Sequence, residues 1–123
     1  MFLNLSRKKK RLIDDKSLAF GCRITKMVHV LHTRRASQNI LNQVARCGTS
    51  VGANCAEGYY SQSTPDYITK HTIALKEANE TKFWLTLLLE EQSLSQIEYN
   101  SLMNDLIQII KILTKLVKTA KGL

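Results

Sequence analysis

The chain has 123 residues, 44% of them hydrophobic and 23% charged, and a net charge of +8. That length fits one domain with a single core, and the composition is that of a globular protein rather than a disordered one. No apolar run approaches the roughly 18–20 residues of a membrane span; one proline and five glycines leave few loop signals, and three cysteines without paired spacing make no disulfide framework.

Residues 1–13 are basic and carry no apolar period, so they read as a tail ahead of a helical domain spanning 14–121. The N-terminus MFLNLSRKKKR places its apolar residues before its charges, the reverse of a secretory signal. Together with free thiols this points to a reducing cytoplasm. Residues 1–35 hold ten basic side chains against Asp14 and Asp15, whereas residues 36–123 hold eight of each sign. Positive charge so concentrated suits phosphate backbones, which bind by releasing counterions, and RNA or DNA is the polyanion expected. A solvated tail that aids solubility is the plainer reading. The candidate contacts are Arg7, Lys8, Lys9, Lys10, Arg11, Arg23, Lys26, Arg34 and Arg35.

The first helix is expected from about Asp15 to His32, with acidic residues at its positive dipole end. Its apolar face reads as Leu18, Cys22, Thr25, Val28, His29 and His32, widened by Ile24, Val30 and Leu31. After a short polar turn, Ser37 can cap a second helix carrying Ile40, Leu41, Val44, Cys47, Gly48, Val51 and Cys55 and ending near Tyr59. SQSTPD breaks the pattern, with Thr64 as cap and Pro65 in the first helical position. A third helix then runs to about Glu91, some 27 residues and about 40 Å. Its repeating residues are Tyr67, Ile68, His71, Leu75, Ala78, Leu85 and Leu88. The fourth begins after Ser93 or Ser95 and has the cleanest seam, Leu102, Leu106, Ile109, Leu113 and Val117 among its members. Lys111, Lys115, Lys118 and Lys121 gather toward its C-terminal end, where the helix dipole favours cations. Four such helices with short connections predict an all-α, antiparallel up-down-up-down bundle. Ile112, Leu87 and Phe83 fall outside the seams and suggest packing against further copies of the chain.

The stretch SVGANCAEG, Ser50 to Gly58, has the glycines of a phosphate loop but no following Lys and no preceding strand, so nucleotide binding is not supported. As helix, it places Gly48, Gly52 and Ala56 in a row at spacing i, i+4, i+8. Such a row lets another helix backbone approach closely, which offsets the roughly 1 kcal/mol each interior glycine costs relative to Ala. Asn54 and Glu57 lie beside it and are read as packing residues, with Lys76 or Lys82 as partners for Glu57. Glu77 and Glu80 are expected to face Arg46 or an arginine of the first helix. The competing reading pairs Glu57 with Glu80 as acid and base, but no nucleophile or cofactor motif accompanies them. His29, His32, His71 and Cys22 match no common zinc spacing, and neither a metal nor another cofactor is expected. Cys47 and Cys55 read as buried small apolar residues; Trp84, Phe83, Tyr59 and Tyr60 could stack on bases, but at helical spacing they read as packing aromatics.

Gln43, RCGTSVGANCAEG (Arg46 to Gly58) and SQSTPDYITKHTIALKEANETKFWLTLL (Ser61 to Leu88) closely resemble the bacterial four-helix-bundle proteins known as 23S rRNA-intervening sequence proteins. DKSLAFGCRITKMVHVL resembles their first helix, so the resemblance spans about residues 15–120. Cys47 stands where serine is usual, and Cys55 where an aliphatic residue is common. The resemblance implies a left-handed up-down bundle, no enzymatic activity and homo-oligomers, ring-like pentamers among them. It also implies a link to nucleic acid or to a protein partner. A related branch comprises accessory proteins of diversity-generating retroelements, which bind nucleic acid and a reverse transcriptase. Two functions are therefore expected of this chain: nucleic-acid binding through the basic N-terminal region, or service as a scaffold or accessory subunit for a partner enzyme such as a reverse transcriptase.

Overall fold

The computed structural model describes residues 11–123; Arg7, Lys8, Lys9 and Lys10 lie outside the described residues. Four helices follow one another, α1 (Leu12–Thr33), α2 (Gln38–Tyr59), α3 (Thr64–Glu90) and α4 (Gln96–Ala120), with no strand among the described residues. The connections are short, residues 34–37, 60–63 and 91–95.

Each helix end has a local cause. Arg11 is extended and its guanidinium grips Asp14, Nε to Oδ2 at 2.8 Å and Nη2 to Oδ1 at 2.9 Å, which starts α1 at Leu12 rather than near Asp15. α1 ends in a Schellman turn. The Ala36 N–H donates to Leu31 O and the Arg35 N–H to His32 O, with Arg35 in the left-handed region at φ 61°. Ser63, not Thr64, caps α3, its Oγ accepting from the Asp66 N–H at 3.2 Å, with Pro65 inside the first turn. α4 opens with a capping box. The Glu98 N–H donates to Ser95 Oγ at 3.1 Å, and the Ser95 N–H to Glu98 Oε1 at 2.9 Å.

One core joins all four helices, with Phe20, Ile24 and Leu31 of α1, Leu41 and Val44 of α2, Leu85 and Leu88 of α3, and Leu106, Ile109 and Leu113 of α4 fully buried. The seams of α2 and α4 are those expected from their periodicity. α1 is different. It buries Ile13, Ser17, Phe20, Ile24, Met27 and Leu31, while Leu18 is 63% exposed and Cys22 and His32 face outward. The true seam lies one residue, about 100° of helical turn, from the expected one. α1 carries apolar residues on both faces, and a serine sits in its seam, so periodicity alone pointed the wrong way.

Ser17 is in the seam because the small-residue row of α2 comes up against it. A Cβ on Gly52 would stand 3.2 Å from the Ser17 carbonyl oxygen, and one on Gly48 would stand 3.0 Å from both Ile24 Cγ1 and Cγ2. Gly48 and Gly52 thus hold α1 and α2 close. Of the helix pairs that touch, α1 and α4 pack most sparsely. Polar pairs bridge that seam instead: Lys16 Nζ to Gln108 Oε1 at 2.6 Å, Arg23 Nη1 to Asp105 Oδ2 at 2.7 Å, and Arg34 to Glu98.

Candidate nucleic-acid interface

The arginines of residues 11–35 do not all present free charge. Arg11 is half-buried at the end of the bundle where α1 and α3 begin and α2 ends. Besides Asp14, its Nη2 donates to Cys55 O at 2.9 Å and its Nη1 lies 3.0 Å from His71 Nε2. Its guanidinium also sits 5.0 Å over the Tyr59 ring. Arg23 is held by Asp105 and by Ser101, whose Oγ is 2.8 Å from Nη2. Arg34 forms a bidentate pair with Glu98, both contacts at 2.8 Å. These hydrogen bonds, with the Ser95 N–H added, draw the Glu98 carboxyl down to about 2. Lys26 and Arg35 are exposed and in no ion pair among the described residues.

The residues expected to pack are distributed along α2 and α3. Gly48 and Gly52 meet α1 as described. Ala56 is exposed and Asn54 is half-buried, its Nδ2 donating to Ser50 O of its own helix at 2.9 Å. Glu57 pairs with Lys70 at 2.9 Å rather than with Lys76 or Lys82, while Glu80 and Glu77 both meet Arg46, and Trp84 Nε1 donates to Glu80 at 3.0 Å. Glu57 therefore sits some 11 residues, about 16 Å, along α2 from the arginine that holds Glu80. Each carboxylate is neutralised by its own cation, and the two do not form an acid–base couple.

The buried thiols lack nucleophile character. Burial pushes the Cys55 thiol up to about 11 and raises that of Cys47 as well, where Thr81 Oγ1 donates to the sulfur at 3.2 Å. Among the described residues, no three His, Cys, Asp or Glu side chains converge as metal ligands would.

The polar cluster at Arg11 is the feature that periodicity missed. His71 is fully buried, with Nδ1 2.8 Å from Tyr67 O and Nε2 facing Arg11, so Nδ1 carries the proton and Nε2 accepts. Burial, with the arginine adding to it, lowers the readiness of His71 to take a second proton. The ring rests on Gly58, where an added Cβ would overlap it. Gly58 and His71 lie on either side of the short α2–α3 turn, as do Glu57 and Lys70, but at unequal distances from it, so no simple spacing in the sequence pairs them.

Along the outer side of α1 and α2 runs an open, mainly apolar groove of about 680 Å³. Leu18, Gly21, Cys22, Gly52, Ala53, Ala56 and Tyr60 line it, with Asp14, Asp15 and Lys26 at its edges. None of the described helices is long and apolar enough to cross a membrane.

Residues 9–115 match the family model described as 23S rRNA-intervening sequence protein. No curated protein sequence matches the chain. Among solved structures, the chain is similar to a Bacteroides thetaiotaomicron protein of unknown function from the S23 ribosomal protein family. The two are 40% identical, with a TM-score of 0.85 over 87% of this chain and 99% of that one. A family match across most of the chain and a structural match of that closeness agree: this chain belongs to the 23S rRNA-intervening sequence protein family.

Proposed function

We propose that the protein is a non-enzymatic, homo-oligomeric four-helix bundle that acts in the bacterial cytoplasm and binds nucleic acid through its basic N-terminal region. The observation that carries this reading is the excess of ten basic over two acidic residues in the first 35. Of the described cations in that segment, Lys26 and Arg35 remain exposed and without a carboxylate partner, while Arg7, Lys8, Lys9 and Lys10 add four more charges next to Arg11. Such contacts position a phosphate backbone without reading bases. The bundle is read as up-down-up-down and left-handed. The antiparallel course is supported by the pairs Ile24–Gly48 and Ser17–Gly52, in which numbers rise on α1 as they fall on α2, and by Glu57–Lys70 and Arg46–Glu80 between α2 and α3.

Self-association is supported by the groove between α1 and α2. Leu18 and Tyr60 flank it at 63% and 64% exposure, and Phe83 on α3 is 58% exposed. A closed ring, of five copies by likeness to the family, would cover such surface without leaving an open end. The same apolar surface favours the second reading, a scaffold that presents a partner enzyme such as a reverse transcriptase.

Retention of labelled RNA and DNA by the purified protein, compared with a Lys26→Glu, Arg35→Glu double variant at matched salt, tests the first reading. Weaker retention and a shallower salt dependence are expected of the variant. Absence of binding by the unaltered protein at low salt overturns the reading. A partner complex recovered from cells that survives both nuclease and high salt favours the scaffold.

A further inference from the structure

Along the sequence, the positive excess belongs to residues 1–35. In space part of it is offset, because Arg23 and Arg34 are neutralised by Asp105 and Glu98, both from α4. The acidic residues that balanced α4 on paper are thereby used up. What α4 keeps is Lys111, Lys115, Lys118 and Lys121, all exposed and in no ion pair among the described residues. Residues 106–123 contain no Asp or Glu.

We propose that Lys111, Lys115, Lys118 and Lys121 form a second phosphate-contacting surface, at the end of the molecule where α1 begins, which takes the backbone of a nucleic-acid strand. This rests on the nucleic-acid reading given above but places the contacts on the opposite end of the sequence. These lysines and the start of α1 share one end of the molecule. Lys16 near the start of α1 is bonded to Gln108 of α4, so the chain enters α1 at Arg11 beside the turn that carries Lys111. Lys111, Lys115 and Lys118 fall within about 60° of one another around the helix. From Lys111 to Lys121 is about 15 Å along the axis, and a strand with one charge per roughly 3.4 Å offers four or so phosphates over that length.

Two plainer accounts fall short. The helix dipole favours cations in the last turn, but its effect fades beyond that turn, and Lys111 lies about two and a half turns from the end. A face that serves only solubility intersperses both signs, and this one carries a single sign. A shallow groove of about 510 Å³ runs beside Lys111, Lys115 and Lys118, with Thr119 on its edge as a neutral hydrogen-bond donor.

The test compares the full chain, a variant with Lys→Gln at 111, 115, 118 and 121, and a variant with Arg7→Gln, Lys8→Gln, Lys9→Gln and Lys10→Gln. Each binds a fluorescent oligouridylate across a salt titration, with helicity and melting followed in parallel. Gln keeps the helix propensity of Lys. The α4 variant is expected to have a salt slope shallower by about 3, from roughly 0.7 per cation lost on a single strand. Lys→Arg at the same four positions should restore both slope and affinity. If the α4 variant loses helicity, the milder Lys111→Gln, Lys118→Gln pair decides, with an expected slope change of about 1.4. An unchanged α4 variant beside a weakened N-terminal variant overturns the inference and leaves the N-terminal reading standing. A weakened α4 variant beside an unchanged N-terminal variant supports the inference and removes the N-terminal contacts. A chain that binds phosphatidylserine vesicles but no oligouridylate overturns both.

Discussion

The imidazole of His71 fills the space that a side chain at Gly58 would need. The ring cannot swing aside cheaply, since one nitrogen is held by Tyr67 O and the other by Arg11. Gly58→Ala should gain about 1 kcal/mol of helix propensity yet lose more to overpacking, for a net destabilisation of up to about 2 kcal/mol. Urea denaturation of the two proteins checks this. A variant as stable as the parent would mean that the ring has room the structure does not give it.

The same histidine sets a pH dependence. Burial lowers the folded-state value of His71 below its ordinary 6.5, so the folded protein resists a proton that the unfolded chain accepts. Above about 6.5 both states are neutral and the contribution is complete. As pH falls below that value stability declines, by at most about 1.4 kcal/mol per pH unit for one proton. Asp14 and Arg11 both face this cluster, and Arg11 opposes a second cation beside it. Denaturation midpoints from neutral pH to pH 5 should fall for the parent protein and stay flatter for His71→Gln.

Glu98 titrates in a separate window. Its hydrogen bonds from Arg34 hold it near 2, below the ordinary 4.5, so its contribution is present above about 4.5 and is lost as pH falls through the folded value. Arg34→Gln should shrink that acid-range loss to the part due to Ser95, without touching the one due to His71. The pair is largely solvent-exposed, so the effect is small and is best read as a change in slope between pH 5 and pH 2 rather than in total stability.

Arg35 separates stability from binding. It occupies the left-handed position of the α1 C-terminal turn, where glycine fits without cost. Arg35→Gly should raise stability by about 1 kcal/mol and, if the N-terminal reading is right, weaken nucleic-acid retention at the same time. Melting and retention assays on one preparation give both values. A variant that is more stable and binds equally well would remove Arg35 from the interface.

Much of this was legible in the sequence and some was not, for identifiable reasons. α4 shows its seam because Leu102, Leu106, Ile109, Leu113 and Val117 are apolar while their flanks are not. α1 conceals its seam, since Leu18 and Val30 are apolar and exposed while Ser17 is polar and buried. Gly48 and Gly52 announce a close approach by themselves, yet the identity of the helix they admit, α1, depends on how the chain turns. Ion pairs depend on register in the same way. Arg46 with Glu77 and Glu80 was foreseeable, whereas Arg34 with Glu98 joins residues 64 apart and takes up a carboxylate of the last helix.

Two glycines, Gly21 on α1 and Gly48 on α2, should respond in opposite directions. A Cβ on Gly21 meets nothing within 4 Å, so Gly21→Ala gains helix propensity alone and should stabilise the fold by up to about 1 kcal/mol. At Gly48 a Cβ already stands 3.0 Å from two carbons of the buried Ile24, and Gly48→Leu would force α1 and α2 apart at a cost of about 3 kcal/mol or more. Gly21 also lines the outer groove, which adds a second reading to the same variants. If another copy of the chain seats in that groove, a larger Gly21→Leu change should lower the assembly state in sedimentation while leaving the monomer folded. If Gly48→Leu melts and sediments like the parent protein, the close α1–α2 approach is not what shapes this bundle.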